Sequence, residues 1–299
     1  MKRNALFLSS ILILAFGLSG CEDNGLRQGD PNYWTSSRHQ FTVETDQPNG
    51  TQTLFLLDNG DGTATLTFDG SNPRHCESGS SATVSVTTYV DTLVIPSSVI
   101  RNGATLRVTA IGNEAFMGCR ALVKVVLPES VTTIGEGAFA ICTQLKEVNI
   151  PSSVTALPSS CFGQCQALDS IVVPAHIQSI GRMAFYGCKK AQRILLSEGL
   201  QSIGDMAFFD CNSDKLLDIT IPASVQTIGA DVFGGHDEKT YSHILGYHMA
   251  GTTPPALNGA LYYRPEGLDE VPVVYVPKGA VDAYQAAANW NNLTIREEL

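Results

Sequence analysis

From about Leu93 to His236 the apolar positions recur every 23 residues. Phe116, Phe139, Phe162, Phe185 and Phe208 mark one phase, and Cys119, Cys142, Cys165, Cys188 and Cys211 a second. Pro128, Pro151 and Pro174 mark a third; Ser197 takes the next place, and Pro222 follows after two added residues near Asn212 to Lys215. Ile-Gly pairs begin at Ile111, Ile134, Ile180, Ile203 and Ile228, with Leu157-Pro158 in place of one. A fixed period of this length, held by four residue types over five turns, is the signature of a solenoid. Within a unit, Leu145 to Ile150 ends in apolar alternation and Pro151 stops it, since proline cannot donate to a ladder. A second short extended segment follows at Val154 to Leu157. The Ala-Phe-x-x-Cys stretch has helical or 3₁₀ spacing and rounds a corner.

One unit cannot bury its apolar side alone, so the units stack, with strands about 4.8 Å apart. Val125, Val148, Ile171, Ile194 and Ile219 then form one interior ladder, and Leu127, Ile150, Val173, Leu196 and Ile221 the next. Two rows face outward: Lys124, Glu147, Ser170, Arg193 and Asp218, and beside them Val126, Asn149, Val172, Leu195 and Thr220. Apolar groups on adjacent coils of an exposed face call for an explanation. A protein-docking stripe is one; ordinary β-propensity on a half-exposed sheet is the other. The candidate protein-binding residues are therefore Val126, Asn149, Val172, Leu195, Thr220, Lys124, Glu147 and Arg193. The return side offers a polar row, Thr132, Thr155, Gln178, Gln201 and Gln226.

The chain ends carry different information. Lys2 and Arg3 precede an uncharged stretch with an apolar centre from Ala5 to Leu18, which reads as a secretory signal over residues 1–20. It is short for a membrane span, which takes about 20 apolar residues. Leu18-Ser19-Gly20-Cys21 resembles the bacterial lipobox, which implies lipidation at Cys21 and a membrane attachment through acyl chains alone. Residues 21–40 read as a tether, and Glu22-Asp23 after the cysteine resembles the surface-export signals of Bacteroidetes lipoproteins. The implied location is the outer membrane, at the cell surface or on the periplasmic face. Residues 41–90 lack the repeat. Thr51 to Leu57 and Thr63 to Phe68 flank Asp58-Asn59-Gly60-Asp61-Gly62, a hairpin signal, and Thr83 to Tyr89 is a further strand. This stretch is read as an N-terminal β cap or a small β domain.

The repeat resembles the BspA-like leucine-rich-repeat family over roughly Leu93 to His236. Ile95-Pro96-Ser97-Ser98-Val99 looks like its first strand and turn, followed by a hairpin excursion around Arg101 to Arg107. Thr253-Pro254-Pro255-Ala256-Leu257 and Val274 to Tyr284 resemble its terminal strand and helix, with Pro277 ending the strand and Ala280 to Asn289 closing the solenoid. The fold expected is a repeat solenoid, mainly β with short helical or 3₁₀ turns: a leucine-rich-repeat superhelix over residues 91–240, an N-terminal β cap, and a repeat-like C-terminal cap over 241–299. The resemblance implies a non-catalytic envelope lipoprotein of protein-protein interaction or adhesion. Its partner would be a host matrix protein or another bacterial surface protein. Glycan capture and a structural periplasmic role are the alternatives; aromatic platforms would favour the first, and Trp34, Tyr262, Tyr263 and Trp290 all lie outside the repeats.

Charge excludes one class. The chain has 29 Asp+Glu against 19 Lys+Arg, net −10, and loss of Lys2 and Arg3 with a leader leaves 17 against 29, or −12. Such a surface repels phosphate backbones, so nucleic acid is not expected as a partner. The cysteine ladder invites a metal or redox reading, but stacked side chains point the same way and buried cysteine packs as a small hydrophobe. Cys161 sits in the alanine place of its unit, and Cys76 has no evident partner. Asp58 to Thr63 lacks the oxygen donors of a calcium loop at its third and fifth places, which are Gly60 and Gly62. His236, Asp237, Glu238, His243 and His248 have zinc-ligand chemistry but no closed-site spacing. No Gly-x-Ser-x-Gly elbow, Walker loop or dinucleotide fingerprint is present. Neither catalysis nor a cofactor is expected.

Overall fold

The computed structural model describes residues 40–48, 50–67, 91–211, 217–235, 244–262 and 272–299. In chain order the strands are β1 (Gln40–Gln47), β2 (Gly50–Asp58), β3 (Thr63–Thr67), β4 (Asp91–Val94), β5 (Ser98–Arg101), β6 (Ala104–Ile111), β7 (Leu122–Val126), β8 (Thr133–Ile134), β9 (Glu147–Val148) and β10 (Ala156–Leu157). They continue with β11 (Ser170–Val173), β12 (Ser179–Ile180), β13 (Arg193–Leu196), β14 (Ser202–Ile203), β15 (Leu217–Ile221), β16 (Thr227–Ile228), β17 (Ile244–Met249), β18 (Ala256–Leu257) and β19 (Val273–Val276), then helix α1 (Val281–Ala286) and β20 (Thr294–Glu297). The architecture is a mainly β solenoid with an N-terminal sheet and a short C-terminal helix.

At the N-terminal end, β1, β2 and β3 form an antiparallel meander. Leu54, Leu56, Ala64 and Leu66 alternate inward and are fully buried. The β2–β3 turn is the hairpin expected, with Gly60 and Gly62 at positive φ, which glycine adopts without steric cost. Its acids hold the loop. Asp58 Oδ1 accepts from Gly60 N–H, Asp61 Oδ1 accepts from Thr63 N–H, and Asp58 Oδ2 pairs with Arg101 at 2.9 Å. β3 runs parallel beside β6, which also pairs with its hairpin mate β5 and with β8. The excursion near Arg101 to Arg107 is thus the β5–β6 hairpin, and the meander continues directly into the first coil. The strand expected at Thr83 to Tyr89 lies outside the described residues, as do the signal sequence, Cys21 and Cys76.

The coils from β7 onward then present a strand of four to six residues on one face and a two-residue strand on the other, except that β9 on the long-strand face is itself only two residues. The turn between them contains no helix. Its bonds are of the 3₁₀ kind, such as Ala140 N–H to Gly137 O and Cys142 N–H to Phe139 O. Left-handed residues at Gly137 and Ile141 (φ 59° and 63°) interrupt any helical run. Inside, the phenylalanines stack as one column: Phe116, Phe139, Phe162, Phe185, Phe208 and Phe233 follow at centroid distances of 5.3, 5.5, 5.5, 5.5 and 5.6 Å. The thiols form a parallel column. Cys142, Cys165, Cys188 and Cys211 donate to the carbonyls of Phe116, Phe139, Phe162 and Phe185 one coil earlier. Every described cysteine is buried and unbridged.

The glycine of each Ile-Gly pair sets the distance between coils. A Cβ there would lie 2.4 Å from Asn113 N at Gly135, 2.6 Å from Ser159 N at Gly181, and 2.7 Å from Arg182 N at Gly204. The same glycines donate back across the gap: Gly135 to Ile111 O, Gly181 to Leu157 O, Gly204 to Ile180 O and Gly229 to Ile203 O, each at 2.7–2.8 Å. Pro158 stands in this column. It lacks the N–H for that rung and carries the Cβ that the spacing excludes. The consequence is a seam. β8 and β10 belong to different sheets, and on the opposite face so do β9 and β11. Around this one turn the coils are joined at the corner, where Gly137, Phe139 and Ile141 N–H donate to Ser159, Cys161 and Gly163 O at 3.0, 2.9 and 2.7 Å.

The seam corrects one expectation. Val148 and Ile150 belong to the interior ladders by phase but are only half-buried, whereas Val125, Ile171, Leu127 and Val173 are buried as expected. Leu196 is also half-buried. It sits in β13, which shares no sheet with β15, beyond the two added residues.

At the C-terminal end, Pro277 ends β19 as expected. The helix stops at Ala286 rather than Asn289, because Ala287 is already extended (φ −79°, ψ 144°); beyond it Asn289 is left-handed (φ 66°) and its side-chain amide donates to Leu257 O at 2.6 Å. The chain then adds β20 beside β19. Tyr284 and Trp290, both fully buried, meet edge to face at 5.1 Å; their polar atoms donate to Gly251 O and Pro255 O, each at 2.8 Å. Buried aromatics with satisfied polar tips suit a cap that must exclude water from the core.

Candidate protein-binding face

The long-strand face carries the outward rows. Parallel register aligns Val94 with Val126, Val172 with Leu195, Thr220 with His248, and His248 with Tyr275. The row expected at Val126, Asn149, Val172, Leu195 and Thr220 is thereby extended by Val94 at one end and by His248 and Tyr275 at the other. Val94, Val172 and Leu195 are 37%, 57% and 42% exposed, and Val126 is half-buried. A parallel sheet turns alternate side chains outward, so these four apolar residues form one stripe, interrupted at Asn149.

Asn149 does not present its amide to solvent chemistry. Its Oδ1 accepts from Leu127 N–H at 2.7 Å and its Nδ2 donates to Leu127 O at 2.8 Å. The side chain thus replaces a ladder rung where β9 ends early. In the neighbouring row, Lys124 and Glu147 pair with each other at 2.6 Å, both well exposed. Such pairs contribute about 0.2–1 kcal/mol. Ser170 aligns with Arg193, and Arg193 and Asp218 are exposed.

The far end of the face differs in chemistry. His248 lies over Tyr275 at 4.9 Å with the rings nearly parallel, its Nδ1 2.9 Å from Glu298 and its Nε2 3.5 Å from Asp218. Tyr275 passes so close to Gly246 that a Cβ there would meet its ring at 2.8 Å. Of the zinc-type cluster read from the sequence, His248 is the described member; His236, Asp237, Glu238 and His243 lie outside the described residues. Among the described residues no group of three or more His, Cys, Asp or Glu is placed to hold a metal ion. Trp290 and Tyr262 are buried and offer no sugar platform; Trp34 and Tyr263 lie outside the described residues.

Between β9 and β11 the seam opens on this face as a cleft of about 600 Å³. Val148, Ile150, Leu157, Phe162, Leu168 and Ile171 line its interior, and Lys124, Lys146, Glu147, Asn149, Asp169, Ser170 and Val172 its rim. The sequence showed Pro158 as a departure from the repeat, but a donor lost on one face gave no sign of a cleft on the other.

The described thiols are all buried. Burial pushes Cys142, Cys165, Cys188 and Cys211 up from the usual thiol range, with contributions from neighbouring rungs of the ladder, and burial alone raises Cys161. A protonated thiol is a poor nucleophile and a poor metal ligand. On the outer corner, Met183, Tyr186 and Phe209 form a second buried cluster. Burial raises the Tyr186 phenol, and the Asp210 carboxylate adds to the shift.

Residues 109–239 match the family described as BspA type leucine-rich repeat region, in six copies. The coils are a leucine-rich-repeat region of the BspA type. Comparison with curated proteins finds no match. Among solved structures, the chain is similar to a leucine-rich cell surface protein of Faecalibacterium prausnitzii, at 21% identity over 80% of this chain and 72% of the other, with a TM-score of 0.49. It is similar to a leucine-rich-repeat protein of Bacteroides ovatus at 19% identity, 86% and 75% coverage and TM-score 0.38. A leucine-rich-repeat protein of T. pallidum matches at 23% identity, 64% and 85% coverage and TM-score 0.37. Among the described residues, no helix of this leucine-rich-repeat chain is long and apolar enough to cross a membrane.

Proposed function

We propose that this leucine-rich-repeat chain is an exported lipoprotein, anchored through Cys21, that binds a protein partner on its long-strand face without catalysis. The observation that carries the reading is the stripe of Val94, Val126, Val172 and Leu195 on that face. Exposed apolar groups in register across coils give a partner desolvation energy, and the polar rows beside them give orientation. The name of the similar F. prausnitzii protein, a cell surface protein, supports an outward location. A host matrix protein or another bacterial surface protein is the partner class in view.

The test has two arms. Protease treatment of intact cells, with a periplasmic protein followed in parallel, reads the location: cleavage of the coils while the control survives supports outward display. Protection until the outer membrane is broken removes adhesion as the role. Binding to immobilised matrix proteins is then compared between the wild type and a Val172→Asp/Leu195→Asp variant. Both residues point outward, so the variant folds, and its affinity falls by about 1–3 kcal/mol in free energy, the scale of hot-spot losses. Unchanged affinity in the folded variant removes the stripe. Cys21→Ser abolishes incorporation of labelled fatty acid if the anchor is where the sequence puts it.

A further inference from the structure

The seam cleft differs from the rest of the face in its backbone as well as its side chains. Lys146 N–H donates to Val123 O at 2.8 Å, and Gln192 N–H donates to Asp169 O at 2.7 Å. The equivalent rung from Asp169 back to Lys146 is not made, and no backbone bond joins β9 to β11. β11 is paired with β13 on one side, so its other edge lies along the cleft with its peptide groups unpaired. Behind that edge lie Leu168, Ile171 and Phe162. Unpaired strand edges are templates for another extended chain, whose main chain makes the rungs while alternate side chains fill pockets. The volume, about 600 Å³, lies in the range of ligand sites, roughly 300–1,000 Å³.

We propose that the seam cleft binds an extended peptide segment of a protein partner, with its backbone along the open edge of β11 and one large apolar side chain in the cleft. The site rests on the protein-binding reading above and narrows it to one place on the face. Its chemistry selects an uncharged, β-forming segment. A folded globular surface would present its peptide groups already paired, and a lipid or sterol would leave the edge of β11 unsatisfied. Lys146 and Asp169 stand on opposite lips and place one charge of each sign beside the entering chain, which favours a segment with no net charge. Pro158 keeps the site open, because it both removes a rung and holds the coils apart.

The experiment uses the full chain. A random heptapeptide library displayed on phage is selected on it, and the enriched peptides are synthesised with a fluorescent label for anisotropy titration. The expected peptides carry one large apolar residue between β-forming neighbours. N-methylation of alternate peptide nitrogens weakens binding about tenfold or more, since each blocked rung leaves a carbonyl of β11 unpaired. Ser170→Trp, at the rim, abolishes binding, and Pro158→Gly weakens it by letting the coils close. Gln226→Ala, exposed on the return side of the coils, leaves it within about twofold, as distant sites act independently. Circular dichroism checks the folding of each variant, and the N-methyl series needs no variant at all. Peptides lost with Leu195→Asp but indifferent to Ser170→Trp and to N-methylation overturn the cleft while leaving the face as the binding surface. A library that enriches no peptide sensitive to any of these changes overturns both.

Discussion

The phenylalanine column gives a direct measure of whether the seam is open in solution. Phe208 is stacked on Phe185 at 5.5 Å and on Phe233 at 5.6 Å, and Phe162 on Phe139 and Phe185 at 5.5 Å each. Both are 1% exposed. Truncating a buried phenylalanine to alanine costs about 3–5 kcal/mol, part of it a cavity term of ~24 cal/mol per Å³. Phe208 does not line the seam cleft and loses two aromatic neighbours, as Phe162 does, each pair contributing about 0.5–1.5 kcal/mol beyond its buried area. Phe208→Ala should therefore lie near the upper end. Phe162 lines the cleft, so the void left at residue 162 opens to solvent and water enters it. Relief of a void on the order of 50 Å³ returns about 1 kcal/mol. Phe162→Ala should thus be the milder by about that amount, in the lower half of the range. Urea unfolding followed by circular dichroism gives both values from the midpoints at constant slope. Melting temperatures should fall in the same order, by about 2–4 °C per kcal/mol for a domain of this size. Equal losses, or a larger one at Phe162, would falsify the open seam. Losses under about 1 kcal/mol at both sites, against the expected range, would show that the column does not support the core.

Two further expectations follow from the coils. Ile141 is β-branched at φ 63° in a column whose other members, Gly118, Gln164, Gly187 and Asp210, are also left-handed, and that conformation costs about 1–2 kcal/mol in an L-residue. Ile141→Gly should raise stability by up to ~1 kcal/mol after loss of its half-buried side chain; a lower unfolding midpoint would show that the side chain's packing outweighs the strain. The buried thiols have raised folded values against an ordinary value of 9.0. Their contribution is complete below the unfolded value and declines above it, as the unfolded chain alone ionises. Stability should fall above about pH 9 by up to ~1.4 kcal/mol per pH unit for each such thiol. Unfolding titrations between pH 8 and 10 check the slope, and a flat profile would place the cysteines in contact with solvent.

Much of the fold was legible because stacking demands the same residue in the same phase of every coil. Phe, Cys, Pro and Ile-Gly each recur for that reason, and the Phe and Cys columns lie where the period put them. The departures were visible as letters but not as geometry. Pro158 broke the Ile-Gly column in the sequence. Its effect depends on a Cβ distance of 2.4–2.7 Å at its column mates, and no one-dimensional pattern carries that. Asn149 looked like an ordinary outward polar residue; its capture by the Leu127 backbone follows from the early end of β9. His248 and Tyr275 joined the face only through strand pairing across irregular spacings. Nearby histidines in the sequence had suggested a cluster instead.

The glycine column has a consequence for how such arrays diversify. On the return side, one position per coil bears on whether that coil shuts against its predecessor, while on the long-strand face β13 and β15 part with Gly229 in place. Glycine closes the joint; a bulkier residue without an N–H leaves it open. A chain of near-identical coils can then acquire, lose or relocate a groove by a single substitution, without rebuilding the core that the phenylalanines and thiols maintain. Exchanging Pro158 for glycine and placing proline at Gly204 should carry the groove along the array, as one moves a bookmark between otherwise identical pages.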